Sequence, residues 1–172
     1  MPRNIEIKAR LANFEDTARI ARQLSGADPE LIAQEDIFFP CPEGRLKLRN
    51  FSPERAELIY YQRSDQFGPK TSHYQITPTS DPAGLRDALT AAYGVRAVVR
   101  KTRLLFLVGR TRIHLDRVDD LGDFLELEVV LTDNDAIESG QAEAHDLMSK
   151  LGVNAEDLIP DAYVDLLEHS QI

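Results

Sequence analysis

Charged side chains recur at every second position in segment after segment of this chain, and that spacing limits the fold more than any other feature. In an extended strand successive side chains point to opposite faces, so residues two apart share one face. Glu6 and Lys8, Lys47 and Arg49, Lys101 and Arg103, Arg112, His114 and Asp116, and Glu126 and Glu128 each form such a row, with mostly apolar residues between them. Several rows are paired cations and one is a clean pair of carboxylates.

The segments around these rows read as eight strands. The first runs from Asn4 to Leu11, and hairpins follow at Leu31 to Phe39 with Gly44 to Phe51, and at Leu58 to Arg63 with Lys70 to Thr77. Val98 to Val108, Thr111 to Val118 and Phe124 to Leu131 complete the set. Helical signals interrupt them. Asn13 offers an N-cap to a helix that stops at Ser25-Gly26, and Asp81-Pro82 opens a second that Gly94 ends. A third spans about Ala136 to Leu151, with Ile137, Ala144, Leu147, Met148 and Leu151 as its apolar stripe, and a short one lies near Ala162 to Leu167. Strands interrupted by single helices, without regular alternation, predict an α+β closed antiparallel sheet and exclude a doubly wound or β/α-barrel architecture. No linker or repeat divides the chain, so a single domain is expected over 1–172.

Charge narrows the function classes. A net charge of −9 argues against nucleic acid or an anionic membrane as partner. No stretch reaches the ~18 apolar residues of a membrane span, and the N-terminus lacks an apolar leader, so a cytoplasmic protein is expected. Cys41, between two prolines, is expected to be a loop residue. The charges are also segregated. Arg96 to Arg117 holds seven basic residues against Asp116 alone, while Val118 to Ile172 holds fifteen acids against Lys150.

In an open sheet the charged rows would simply face water. In a closed sheet they would line a channel, where unpaired charge carries a large desolvation cost. A bound polyanion with its metal ion would neutralise both kinds of row. Arg and Lys suit phosphate oxygens. Hard carboxylates with little His or Cys suit Mg²⁺ or Mn²⁺.

In order along the chain, Asn4-Ile5-Glu6-Ile7-Lys8, Gln34-Glu35-Asp36, Arg45-Leu46-Lys47-Leu48-Arg49, Leu58 to Arg63, Lys70-Thr71-Ser72, Lys101-Thr102-Arg103 and Arg112-Ile113-His114-Leu115-Asp116 lead to Leu121-Gly122-Asp123-Phe124-Leu125-Glu126-Leu127-Glu128. Together these resemble the CYTH superfamily of triphosphate tunnel proteins, which includes class IV adenylyl cyclases and thiamine or inorganic triphosphatases. The last two motifs look most like the cyclase branch. The resemblance implies an eight-stranded antiparallel tunnel with helices packed outside, and a triphosphate small molecule as substrate. It implies phosphate contacts from Lys8, Lys47, Arg49, Arg63, Lys70, Lys101, Arg103 and Arg112. Metal ligation falls to Glu6, Glu126, Glu128 and Asp116, with Lys8 and Asp116 as catalytic residues and Mg²⁺ or Mn²⁺ as cofactor. A homodimer is expected on the same ground. The family signature is E-x-E-x-K, and Asn4 stands where its first glutamate belongs, which puts a second metal in doubt. The implied reaction is ATP to cyclic AMP and pyrophosphate, with a triphosphatase and a non-catalytic nucleotide or polyphosphate binder as rivals.

Three other signals are set aside. Gly68-Pro69-Lys70-Thr71 leads into a strand where a phosphate loop needs a helix. Asp133-Asn134-Asp135 lacks the glycine and distant glutamate of a calcium loop. His114 reads either as a general base or as a strand histidine bonded to a neighbouring acid.

Overall fold

The computed structural model describes residues 2–170, so the two ends of the domain expected over 1–172 lie outside the described residues. The eight expected strands are all present, as β1 (Arg3–Arg10), β2 (Glu30–Phe39), β3 (Arg45–Ser52), β4 (Arg55–Arg63), β5 (Lys70–Thr79), β6 (Ala97–Val108), β7 (Thr111–Val118) and β8 (Gly122–Leu131). They close into one barrel in the order β1-β5-β4-β3-β2-β6-β7-β8. Neighbours around the barrel are antiparallel.

The barrel is polar inside and apolar outside. Ile5, Ile7, Ile113, Leu115, Leu125, Leu127 and Val129 point outward and are fully buried under helices α1 (Phe14–Ser25) and α3 (Ile137–Lys150). The contact with α3 is close enough that a β-carbon on Gly140 would lie 2.7 Å from Ile5 and 2.9 Å from Leu131. Glycine therefore sets how near the helix approaches. On the other flank α2 (Pro82–Tyr93) lays Leu85 and Leu89 against Ile37, Phe39, Leu48 and Ala56. The helices begin and end as the sequence predicts: Asn13 accepts from the Asp16 amide, Asp81 accepts from the Gly84 amide, and Gly26 and Gly94 stop their helices.

After α3 the chain returns along β1, where the Ile159 amide donates to the Lys8 carbonyl at 3.0 Å, and enters α4 (Tyr163–Ser170). This short helix covers one end of the barrel. Asp165 binds Arg45 and Arg96, and Glu168 binds Arg96, so α4 is tied to β3 and to the approach to β6. Arg45 therefore serves the barrel's end, although it shares the strand parity of Lys47 and Arg49. No helix among the described residues is long and apolar enough to cross a membrane.

Candidate functional site

A cavity of about 400 Å³ runs inside the barrel and takes one inward row from every strand. Near the end covered by α4 the rows are charged. β2 places Asp36 there, only 1% exposed, beneath three cations. Arg49 donates to both of its oxygens at 2.7 and 2.8 Å, and Lys47 and Lys101 donate to Oδ2 at 3.0 and 3.3 Å. Burial alone would raise the Asp36 carboxyl, but Arg49, Lys101 and Lys47 hold it well below the usual carboxylate range. One carboxylate cannot neutralise three cations. Burial, and then the charge of Arg49, brings Lys47 down to about 7, and Lys101 is lowered by burial as well.

A second group centres on Arg103, whose guanidinium donates twice to Asp116 at 2.7 Å. The Tyr163 hydroxyl, reaching in from α4, donates to the same carboxylate at 2.8 Å. Against the effect of burial, Arg103 holds Asp116 well below its ordinary range. Both Asp116 oxygens are thus occupied in fixing Arg103. That differs from the expected catalytic and metal-ligand role, because a carboxylate with two strong donors has little left to offer an ion. The Tyr163 ring also lies under the Lys8 ammonium, 3.8 Å from its centroid. Lys8 is 3.4 Å from Glu126 and is lowered to about 8, chiefly by burial.

The acids form a third group. Glu126, Glu128 and His114 bring ligand atoms within 4.8 Å of one another. Glu128 is pushed up to about 8 by burial and by its neighbours Glu126 and Glu6. Burial would raise Glu126 too, yet the charges of Lys8 and Arg103 hold it well down. His114 is lowered to about 4 by burial and then by Arg103. Glu6 is paired with Arg63 at 3.2 Å, at the edge of this group.

Among the described residues, the buried polar atoms without a hydrogen-bond partner include Asn4 Oδ1 and His114 Nδ1, both on residues that line this cavity. Buried polar groups are rarely left so. Two carboxylates in a cavity that also holds unpartnered polar atoms are chemistry that fits a divalent ion.

Of the remaining expected residues, Arg112 lies 3.4 Å from Glu128, and Arg63 lines the cavity with Nε and Nη2 unpartnered. Lys70 is placed differently. It shares the inward parity of Ser72 and Tyr74, but it sits at the end beside α4, where its ammonium donates to the carbonyls of Pro160 at 2.7 Å and Gln66 at 3.2 Å. It is absent from the cavity lining. Two participants were not anticipated. Asp36 could have been found, since it alternates with Gln34 and Phe38 on the face of β2 opposite the basic rows. Tyr163 carried no such signal, because only the tertiary docking of α4 brings it inward.

The opposite end of the cavity is different in kind. Ile32, Phe51, Ile76, Leu105 and Tyr74 line it, with Glu30, Arg55 and Glu57 among them. Ile76 is 44% exposed, so this end opens to solvent.

A family model described as the CYTH domain matches residues 2–163. The adenylate cyclase CyaB of Aeromonas hydrophila is 24% identical over an alignment 178 positions long that covers 96% of this chain and 89% of that protein. Among solved structures, the PH1012 protein of Pyrococcus horikoshii OT3 superposes with a TM-score of 0.83 at 29% identity, covering 95% of this chain and 98% of its own. HpAC1 from Hippeastrum, described with a dominant triphosphatase activity, superposes with a TM-score of 0.63 at 16% identity, covering 92% and 91%.

Proposed function

This chain belongs to the CYTH domain family, and on that premise we propose that it is a metal-dependent enzyme that binds ATP in its tunnel and converts it to cyclic AMP and pyrophosphate. The observation that carries the nucleotide reading is the change of character along the cavity. Its inner part offers an excess of cations over Asp36, and its outer part offers Ile32, Phe51, Ile76 and Leu105. An inorganic polyphosphate gains little from these four apolar side chains, which stand among Glu30, Arg55 and Glu57, whereas a nucleoside attached to a triphosphate can pack on them. The similarity to a cyclase over nearly the whole chain supports the same choice.

The chemistry forms a bond from the ribose 3′ oxygen to the α-phosphorus and breaks the bond from that phosphorus to the bridging oxygen of pyrophosphate. The 3′ hydroxyl proton passes to solvent water as the new bond forms. Lys47, Arg49 and Lys101, undercompensated by Asp36, hold the anionic chain in place. Arg103 is immobilised by Asp116, which Tyr163 in turn holds, so it can meet developing negative charge without reorganising. Lys8 adds a cation between Glu126 and the Tyr163 ring. Glu126 and Glu128, with Glu6 beside them, would hold Mg²⁺ or Mn²⁺, which when bound offsets charge on the phosphoryl oxygens.

Phosphorus NMR of the protein incubated separately with ATP and with tripolyphosphate, each with Mg²⁺ or Mn²⁺, tests the reading. Cyclic AMP with stoichiometric pyrophosphate supports it. ADP with orthophosphate, or cleavage of tripolyphosphate alone, replaces it with a triphosphatase, and binding without turnover leaves a nucleotide-binding protein.

A further inference from the structure

We propose that His114 is a metal ligand through Nδ1, completing with Glu126 and Glu128 a mixed nitrogen and oxygen site that selects Mn²⁺ over Mg²⁺. This rests on the reading that the tunnel acids hold a divalent ion, and it adds a nitrogen ligand and an ion preference to that reading.

The arrangement of the carboxylate oxygens carries the inference. Each glutamate turns its Oε2 toward a cation: Glu126 toward Lys8 at 3.4 Å, and Glu128 toward Arg112 at 3.4 Å. Each turns its Oε1 toward the imidazole, so that His114 Nδ1 lies 3.7 Å from Glu126 Oε1 and 4.0 Å from Glu128 Oε1. Neither separation is a hydrogen bond, which for nitrogen and oxygen ends near 3.2 Å. Both lie between the ~3.0 Å and ~4.2 Å that separate adjacent and opposite ligands of an ion with bonds of about 2.1 Å. His114 is 4% exposed, and its Nδ1 has no hydrogen-bond partner among the described residues. A buried imidazole nitrogen aimed between two carboxylates lacks a bond that an ion would supply.

The strand pairing fixes this convergence. On β7, His114 stands opposite Glu126 of β8, and Arg112 stands opposite Glu128. Arg103 keeps Asp116, the next inward residue of β7, engaged with itself. Of the residues the β7 row places toward these acids, His114 is thus the one whose facing atom, Nδ1, has no partner among the described residues. Mg²⁺ favours an all-oxygen shell and retains its waters, whereas Mn²⁺ accepts a nitrogen ligand more readily. The nitrogen therefore tips selection toward Mn²⁺.

Pulsed electron paramagnetic resonance of the full chain loaded with Mn²⁺ tests this without reference to activity. His73, His145 and His169 are exposed, so nitrogen modulation from a bound imidazole at the tunnel site reports His114. The expected result is ¹⁴N coupling in the wild type, absent in His114→Gln. Loss of an outer partner of a metal ligand costs about 10–100-fold in affinity, so His114→Gln should weaken Mn²⁺ at least about tenfold while changing Mg²⁺ binding less. Mn²⁺ bound without nitrogen coupling, and released by Glu126→Gln, overturns the imidazole ligand and leaves the acid site standing. Mn²⁺ that does not bind at all overturns both.

Discussion

Asp116 holds Arg103 through two hydrogen bonds of 2.7 Å in a part of the tunnel where both side chains are almost completely buried. A buried pair broken on one side leaves an uncompensated charge at a cost of about 3–5 kcal/mol. Asp116→Asn is therefore expected to lower unfolding stability by that order in urea titrations. Tyr163→Phe, which removes one donor and leaves the pair, is expected to cost about 1.5–3 kcal/mol, as for a hydrogen bond to a charged group. An Asp116→Asn protein of unchanged stability that fails to bind Mn²⁺ would return Asp116 to the metal-ligand role expected from the sequence.

Glu126 and Glu128 are equivalent in sequence and unequal in the tunnel. Glu126 faces Lys8 and Arg103, so Glu126→Gln strands cations and is expected to destabilise the protein by about 1–3 kcal/mol, the cost of an unsatisfied buried group. Glu128 is pushed up by Glu126 and Glu6 and its partner Arg112 is partly exposed, so its loss relieves more repulsion than it strands charge. Glu128→Gln is expected to keep or raise stability in chelator. Both substitutions are expected to remove most Mn²⁺-dependent turnover. Equal destabilisation by the two, read by thermal denaturation in chelator, would contradict this asymmetry.

The strands were legible because charge and apolar character alternate with period two, as in Leu125-Glu126-Leu127-Glu128, and a one-residue slip would turn either set to the wrong face. The caps Asn13 and Asp81 were legible for the same local reason. Which strands meet is not a local property: β1 lies between β5 and β8 only because the sheet closes. Parity also says nothing about depth along the axis. Lys70 and Lys101 both point inward, yet the stagger of the barrel puts Lys70 against the Pro160 carbonyl and Lys101 on Asp36. Tyr163 was invisible for a further reason, since its place depends on Arg45 and Arg96 gripping Asp165 across more than sixty residues of sequence.

Lys47 gives the tunnel a pH dependence whose sign follows from its lowered proton affinity. In the folded protein it loses its proton at about 7, against 10.5 ordinarily. The unfolded chain holds that proton throughout this window, so the contribution of Lys47 to stability is unfavourable below about 7 and improves as pH rises toward 10.5. A bound triphosphate restores the preference for the ammonium. At about pH 8.5, where a phosphate with a second pKa of about 6 is already ionised, ATP binding in chelator is expected to take up protons, with Lys8 adding to the effect. Calorimetry in two buffers of different ionisation enthalpy measures the uptake. Lys47→Arg, charged throughout, should bind ATP with less proton uptake, and an unchanged uptake would exclude Lys47 as its source.

The mouth of the tunnel decides what is attached to the phosphates. Phe51 and Ile76 line its open end with Ile32 and Leu105, away from the cations on Asp36. A base stacked there would bury apolar area at roughly 25 cal/mol per Å², and truncating Phe51 would forfeit on the order of 1–2 kcal/mol, or about ten-fold in affinity. Tripolyphosphate, held by Lys47, Arg49 and Lys101, would not reach the aromatic ring. Phe51→Ala and Ile76→Ala are therefore expected to weaken ATP in metal-free titrations and to leave tripolyphosphate unchanged. Lys101→Ala should weaken both, since it removes a contact that the phosphate chain makes in either ligand. Loss of ATP and tripolyphosphate affinity in equal measure on Phe51→Ala would mean that the mouth only supports the barrel wall, and the nucleoside would then lack a compartment of its own.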